Sequence, residues 1–315
     1  MSLFRRRDFL AAMPVSALAL ASVAAGEEKP IAEPIIDIHQ HTTYRERTVE
    51  QLLAHQRAMG VTQTILLPSG SPVKRASTGD GIHNGLGGVG AGGNESALAM
   101  SRQFPGEFYF GVNEVTDLPD ARLEIAKYID LGAIIIGEQK FGVECDSLES
   151  QQLYAMATEF KVPILLHFQH GTYNNGFERF HRMLEKYPQT TFIGHAQTWW
   201  ANIDKNHTDQ KNLYPKGPVT AGGLTDKYLS DYPNMFADMS AGSGLNALQR
   251  DEDHTRGFLE RHQNKILYGS DCDDRVGSGA ACQGSRTIAT IRKLAANKTV
   301  ERKILFENSK KLFRV

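Results

Sequence analysis

Beyond Pro34 the chain alternates short apolar runs with longer amphipathic ones. The short runs predict strands over Ile35–His39, Val61–Leu67, Phe108–Val112, Ala133–Gly137, Ile164–His167, Thr191–His195, Met235–Met239 and Ile266–Ser270. Several are apolar at every position, the pattern of strands buried on both faces of a parallel sheet. Between them, a helical period runs through Thr48–Met59, Glu95–Gln103, Leu118–Asp130, Leu148–Phe160, Phe177–Lys186, Thr225–Asp231 and Leu245–His262. Ser285–Ala296 and Val300–Phe313 continue it after the last strand. Asp117 or Asp120 can start the third helix and Gly132 follows its end, while Pro163, Pro188 and Pro233 each separate a helix from the next strand. Eight strands alternating with helices point to an α/β fold, either a closed barrel or an open doubly wound sheet. At 315 residues the chain fits one (β/α)8 TIM barrel, since barrels of roughly 250 residues are single domains.

Two predicted connections are long. Ser69–Gly93 is dense in Gly and Ser, and Ala196–Gly223 carries Trp199 and Trp200. Both follow strands, so both belong to the C-terminal face, where barrel enzymes carry their sites. Mobile lid and passive insertion are equal readings of the first. The paired tryptophans of the second are expected to wall a substrate pocket.

The first 25 residues stand apart. Arg5, Arg6 and Arg7 precede Phe9 and Leu10, an apolar stretch follows from Ala11, and Val23, Ala24 and Ala25 offer a cleavage site. That order is a secretory signal, and the paired arginines resemble a twin-arginine leader. Cleavage is favoured over a membrane anchor, because the stretch is shorter than the ~20 residues a spanning helix needs. The expectation is a periplasmic or secreted protein with a mature barrel over 26–315 and no membrane partner. With 35 basic and 36 acidic residues and no long run of like charge, no nucleic-acid surface is expected. The partner expected is a small-molecule substrate. Of Cys145, Cys272 and Cys282, the last two could bridge, or all three could remain thiols. Without a CxxC pair, no cysteine-type structural zinc is expected.

The chemistry sits at strand ends. Asp37-Ile-His39-Gln-His41 places two imidazoles at alternate positions, a chelating pair if the strand is regular. By itself an HxH says little. Yet other strands also end in ligand types: Glu138, His167, His195 and Asp271. In a barrel the C-terminal strand ends converge on one mouth, so five strands would aim imidazoles and carboxylates at one point. His170, past the fifth strand, could touch substrate or bond locally. Arg275, on the last loop, could grip a substrate carboxylate or form a surface ion pair. Neither a phosphate loop nor a GxSxG elbow is present.

DIHQH at the first strand, LLH at the fifth, GHA at the sixth and YGSD at the eighth together resemble the amidohydrolase superfamily, in particular the group with aminocarboxymuconate-semialdehyde decarboxylase and sugar-acid lactonases. The resemblance runs from about residue 34 to the end. It implies that His39, His41, His167 and Asp271 hold a divalent ion, zinc first and manganese as the alternative. It implies that His195 helps activate a bound water and that Asp271 carries protons as base and then acid. The strand-4 ligand of two-metal members is matched by Glu138, preferred over Lys140. If Glu138 bridges two ions, His195 becomes a ligand of the second. The leading expectation is a metal-dependent hydrolase of a lactone, ester or amide. A non-oxidative decarboxylase is the alternative, and a barrel kept only for binding is disfavoured by the intact ligand set. A homo-oligomer is left open.

Overall fold

Isoleucine, leucine and phenylalanine dominate the eight strands of the computed structural model, which describes residues 33–78 and 85–315. In chain order these are β1 (Ile36–Gln40), β2 (Gln63–Leu66), β3 (Phe108–Phe110), β4 (Ile136–Gln139), β5 (Ile164–His167), β6 (Phe192–His195), β7 (Met235–Asp238) and β8 (Ile266–Leu267). The helices are α1 (Val49–Ala58), α2 (Asn94–Gln103), α3 (Ala121–Asp130), α4 (Leu148–Phe160), α5 (His181–Lys186), α6 (Gln197–Ala201), α7 (Leu224–Asp231), α8 (Ala241–Gln249), α9 (Glu252–Arg261), α10 (Gln283–Leu294), α11 (Lys298–Arg302) and α12 (Asn308–Phe313). All strand pairs are parallel, in a β1-β2-β3 sheet and a β4-β5-β6-β7-β8 sheet. Backbone hydrogen bonds cross both seams. Val112 bridges Ile136 between β3 and β4, and the Ile38 amide donates to the Tyr268 carbonyl at 3.1 Å between β8 and β1.

Alternation along the strands sorts their side chains into two cores. Ile36, Ile38, Ile65, Leu67, Ile135, Leu165, Ile193 and Leu267 pack together inside the ring, with Phe313 beneath them. Leu66, Phe108, Ile136, Ile164, Leu166, Phe192 and Ile266 join the helices in the outer core. A strand buried on both faces has no polar side to show, so its sequence is apolar throughout.

Helix ends follow local chemistry. The Thr48 hydroxyl and the Gln51 side chain form a reciprocal capping box on α1, and Ser147 caps α4. The single helix expected over Leu245–His262 is two, because Asp251 accepts from the His254 amide at 3.0 Å and starts α9 afresh. The expected Val300–Phe313 helix is interrupted by a π-helical turn, Lys303–Glu307. The expected strand Ala133–Gly137 begins later, at Ile136. The basic and apolar leader, and residues 79–84 of the glycine-rich loop, lie outside the described residues. Among the described residues no helix is long and apolar enough to cross a membrane.

One expectation is overturned. Trp199 and Trp200 do not wall a pocket: they are 0% and 2% exposed. The segment after β6 opens with α6, which turns both indoles into the outer core. Trp199 packs on Phe168 and Phe177, and Trp200 meets Phe258 edge to face. Enclosing two large rings there is more favourable than leaving them at a wet mouth. Cys145, Cys272 and Cys282 are all buried and free.

Asp226 on α7 ties this helix to the end of α9. It faces His262 Nε2 at 2.5 Å and Arg261 at 3.2 Å, and accepts from the Gly222 amide at 2.9 Å. Burial pushes its carboxyl up, but these partners outweigh burial and hold its pKa at about 2. A depressed folded-state pKa stabilises the fold above the ordinary carboxylate value, and that contribution disappears as pH falls through the folded value. Asp226→Asn is therefore expected to cost about 1.5 kcal/mol at neutral pH. The difference from the parent should vanish between about pH 4 and pH 2, as read from urea midpoints across that range.

Candidate metal centre

The ends of β1, β4, β5, β6 and β8 deliver polar side chains into a water-poor space. His167 and His195 extend the inward-facing alternation of Leu165 and Ile193. For β1 and β4, simple alternation fails: Ile38 and Ile135 face inward, yet so do His39 and Glu138. The register of β1 against β2 shifts between Asp37 and Gln40, and that of β4 against β5 shifts between Ile136 and Gln139. Such irregularities re-aim a side chain across the sheet. Gly137 permits the second: its φ is +129°, and a Cβ there would meet the Leu165 carbonyl oxygen at 2.8 Å. Gly269 keeps β8 close, since a Cβ would collide with Asp238 and His39. Asp271 itself sits in the left-handed region at φ +46°, a conformation that Asp and Asn tolerate better than most residues. Its amide donates to the His39 carbonyl at 2.8 Å.

The ring nitrogens are sorted by their partners. His41 Nδ1 donates to the Leu67 carbonyl at 2.6 Å, and His39 Nδ1 pairs with Asp238 Oδ2 at 2.6 Å. Both rings therefore turn Nε2 inward, and the two Nε2 atoms lie 3.2 Å apart. Glu138 Oε2 stands 3.2 Å from His39 Nε2 and 3.6 Å from His41 Nε2. Asp271 Oδ1 is 3.3 Å from His41 Nε2 and 3.9 Å from His39 Nε2. The other oxygen of Glu138 faces the remaining rings, at 2.5 Å from His167 Nδ1 and 3.6 Å from His195 Nε2. His195 Nε2 also lies 4.0 Å from Asp271 Oδ2.

Thus His39, His41, Glu138, His195 and Asp271 come together, but the expected ligand set of His39, His41, His167 and Asp271 does not form one group. His167 meets Glu138 and His195 rather than the His39–His41 pair. The donors fall into overlapping groups, His39–His41–Glu138, His39–His195–Asp271 and Glu138–His167–His195, with one oxygen of Glu138 turned to each side. Lys140 does not enter the cluster. Its ammonium approaches the Tyr173 ring and acts on Glu138 through space. His170 is exposed, its amide bonded to the Thr198 hydroxyl, and none of its contacts reaches the cluster. Arg275 is exposed with one long bond to the Arg45 carbonyl, neither at the cluster nor in the surface ion pair expected.

Asp238 is the site residue missed in the sequence. It ends β7 as Asp271 follows β8, so the same strand-end rule could have found it. Its Oδ2 accepts from the Ser240 hydroxyl at 2.8 Å and lies 3.4 Å from His195 Nδ1. Trp200 Nε1 donates to its carbonyl at 3.0 Å. Asp238 therefore orients two rings at once.

The electrostatics call for a cation. Burial opposes charge on His39, yet Asp238, Glu138 and Asp271 push it well above the usual imidazole range. Burial disfavours charge on Glu138 too, but Lys140, His39 and His167 hold it well below the carboxylate range. Asp271 is likewise lowered against its burial, chiefly by His39 and His41. His195 is driven down to about 3 by burial and by His39, so its ring is neutral and free to act as a ligand. Among the buried atoms without a hydrogen-bond partner are His195 Nε2 and Asp271 Oδ1, both turned into the cluster. Imidazole nitrogens facing one another beside carboxylates, with unpartnered lone pairs, fit a divalent ion bound by mixed nitrogen and oxygen donors.

No protein-family profile matches the chain, and no curated protein matches it. Solved structures do. An uncharacterised TIM-barrel protein from Bordetella bronchiseptica aligns with a TM-score of 0.60 at 14% identity, over 89% of this chain and 98% of that one. A probable 2-pyrone-4,6-dicarboxylic acid hydrolase from Acinetobacter baumannii aligns at 0.56 and 13%, over 89% and 99%. A dihydroxybenzoic acid decarboxylase from Polaromonas, with bound manganese and 2-nitroresorcinol, aligns at 0.56 and 13%, over 90% and 97%. The fold is a TIM barrel.

Asp238→Asn should leave the fold intact, because the amide keeps the Ser240 contact. Losing the carboxylate behind His39 is expected to weaken metal binding about 10- to 100-fold, measured by chelator competition on the purified chain.

Proposed function

We propose that the chain is a divalent-metal-dependent enzyme of the amidohydrolase superfamily that removes a carboxyl group, without oxidation, from a small aromatic or unsaturated acid. The observation that carries metal dependence is the gathering of His39, His41, Glu138, His167, His195 and Asp271 into overlapping buried donor groups that share Glu138, His39 and His195. Decarboxylation is placed ahead of the hydrolysis favoured by the sequence, because similar solved structures include more decarboxylases of aromatic acids than hydrolases. Zinc was the ion expected; the bound manganese of two similar decarboxylases supports manganese instead. Because its two oxygens face different rings, Glu138 would be able to serve two ions, with His39 and His41 available to one and His167 and His195 to the other.

When bound, the ion supplies polarisation of a carbonyl or carboxylate oxygen and lowers the pKa of a water toward neutrality. The chain's own residues do the rest. Enclosed rings and apolar strand residues exclude bulk water, which strengthens every charge interaction inside. Asp271 is the proton carrier, with Oδ1 unpartnered and the side chain slightly open. In decarboxylation it would first take a proton from a water or a substrate hydroxyl and then deliver it to the carbon that bears the carboxylate. The carbon–carbon bond then breaks, carbon dioxide leaves, and Asp271 is ionised again. His195, held by Ser240 at 3.0 Å, stays neutral and orients the reacting oxygen. Hydrolysis remains a second reading, supported by the 2-pyrone-4,6-dicarboxylic acid hydrolase likeness. There Asp271 would take a proton from the attacking water and return it to the leaving oxygen.

The test loads the purified chain with manganese or zinc and follows carbon dioxide release from dihydroxybenzoates, with lactone opening assayed in parallel. Carbon dioxide without lactone opening is expected. Asp271→Asn should lower turnover roughly 10³-fold while the thermal midpoint holds, since Asn also accepts the left-handed backbone. Turnover within tenfold of the parent would remove Asp271 from the mechanism, and lactone opening alone would put hydrolysis first.

A further inference from the structure

A second group of metal-ligating side chains lies behind the first, with no residue in common. His55 comes from α1, Cys272 and Asp274 from the segment after β8, and Cys282 from the N-cap of α10. Cys272 Sγ and Cys282 Sγ stand 3.7 Å apart, unbonded. Cys282 Sγ is 3.8 Å from His55 Nε2, which is 2.9 Å from Asp274 Oδ1. His55, Cys272 and Cys282 are buried, and all four donor atoms lie within 4.8 Å of one another. We propose that these side chains form a closed structural site for a thiophilic divalent ion, zinc by its chemistry, which clamps the Asp271-bearing segment to α1 and α10.

Spacing supports this. Tetrahedral zinc with Zn–S bonds of about 2.3 Å sets its sulfurs about 3.8 Å apart, close to the separation found. A disulfide would need those sulfurs at about 2.05 Å and would leave His55 and Asp274 facing them without a role. Both sulfurs already accept from backbone amides. The Gly284 amide donates to Cys272 Sγ at 3.0 Å and the Ser285 amide to Cys282 Sγ at 3.4 Å, both from the positive end of α10. Charge balances as well. Two thiolates and a carboxylate carry three negative charges, and a divalent ion leaves one. The buried Arg47 guanidinium, donating to the Asp274 carbonyl at 3.0 Å, neutralises it. The bond between His55 and Asp274 gives way as the ion takes the place of the proton between them. Two thiolates, an imidazole and a carboxylate leave no open position, which marks a structural rather than a catalytic ion. The sequence hid this site because it has no CxxC, and His55 and Cys282 are 227 positions apart.

The test uses the purified full chain exchanged with cobalt(II). Thiolate ligation gives an intense near-ultraviolet charge-transfer band, and the metal centre, which has only nitrogen and oxygen donors, cannot produce one. The band is expected in the parent and in His41→Ala. It should vanish in Cys282→Ser, with the loss of one metal per chain by elemental analysis. The parent spectrum decides the matter even if that variant fails to fold. A cobalt-loaded parent without the band, or peptide mapping that finds Cys272 and Cys282 disulfide-bonded in the native chain, would overturn the site. Neither result bears on the reaction proposed for the metal centre.

Discussion

Four imidazoles and three carboxylates meet at the mouth of this barrel almost out of reach of water, and that concentration of charge governs the rest of the structure. Carboxylates stripped of hydration cost several kcal/mol each unless something positive compensates them. Part of the compensation is internal: Lys140 acts on Glu138 from outside the cluster, and the imidazoles sit against Glu138 and Asp271. The remaining inward-facing lone pairs complement a cation. The centre is therefore a coordination site before it is anything else.

Holding such a site requires rigidity one layer back. Asp238 fixes His39 and reaches His195, Ser240 joins both rings, and Trp200 secures the Asp238 backbone from the outer core. The tryptophans thus contribute to the centre by packing rather than by touching a substrate. Asn113 likewise donates to the Glu138 carbonyl at 2.7 Å, so the acid that faces both donor groups is held by its backbone as well as by its rings.

The segment after β8 is where these demands meet. Asp271 enters the centre, and the next residue, Cys272, turns the other way, toward α10. The left-handed backbone at Asp271 makes that reversal between adjacent side chains. Any force that orders Cys272 or Asp274 therefore also bears on where Asp271 points.

The sequence alone determined the alternation of strands and helices, and with it an α/β fold of buried parallel strands; closure of the ring rests on the contacts at its two seams. Strands such as Ile164–His167 must be apolar on both faces when helices cover one side and the ring closes the other, so the pattern is written residue by residue. It also determined which strand ends carry ligand types, because His39, His41, Glu138, His167, His195 and Asp271 each close an apolar run. Only the tertiary structure decided how they group. The shifted registers of β1 and β4 depend on neighbouring strands, and no local pattern marks them. Nor does one reveal that Glu138 faces two sides, that Trp199 and Trp200 turn inward, or that His55 comes to lie against Cys282. Those are contacts between distant segments, fixed by packing volume and by the need to pair buried charge, and both exist only once the ring is assembled.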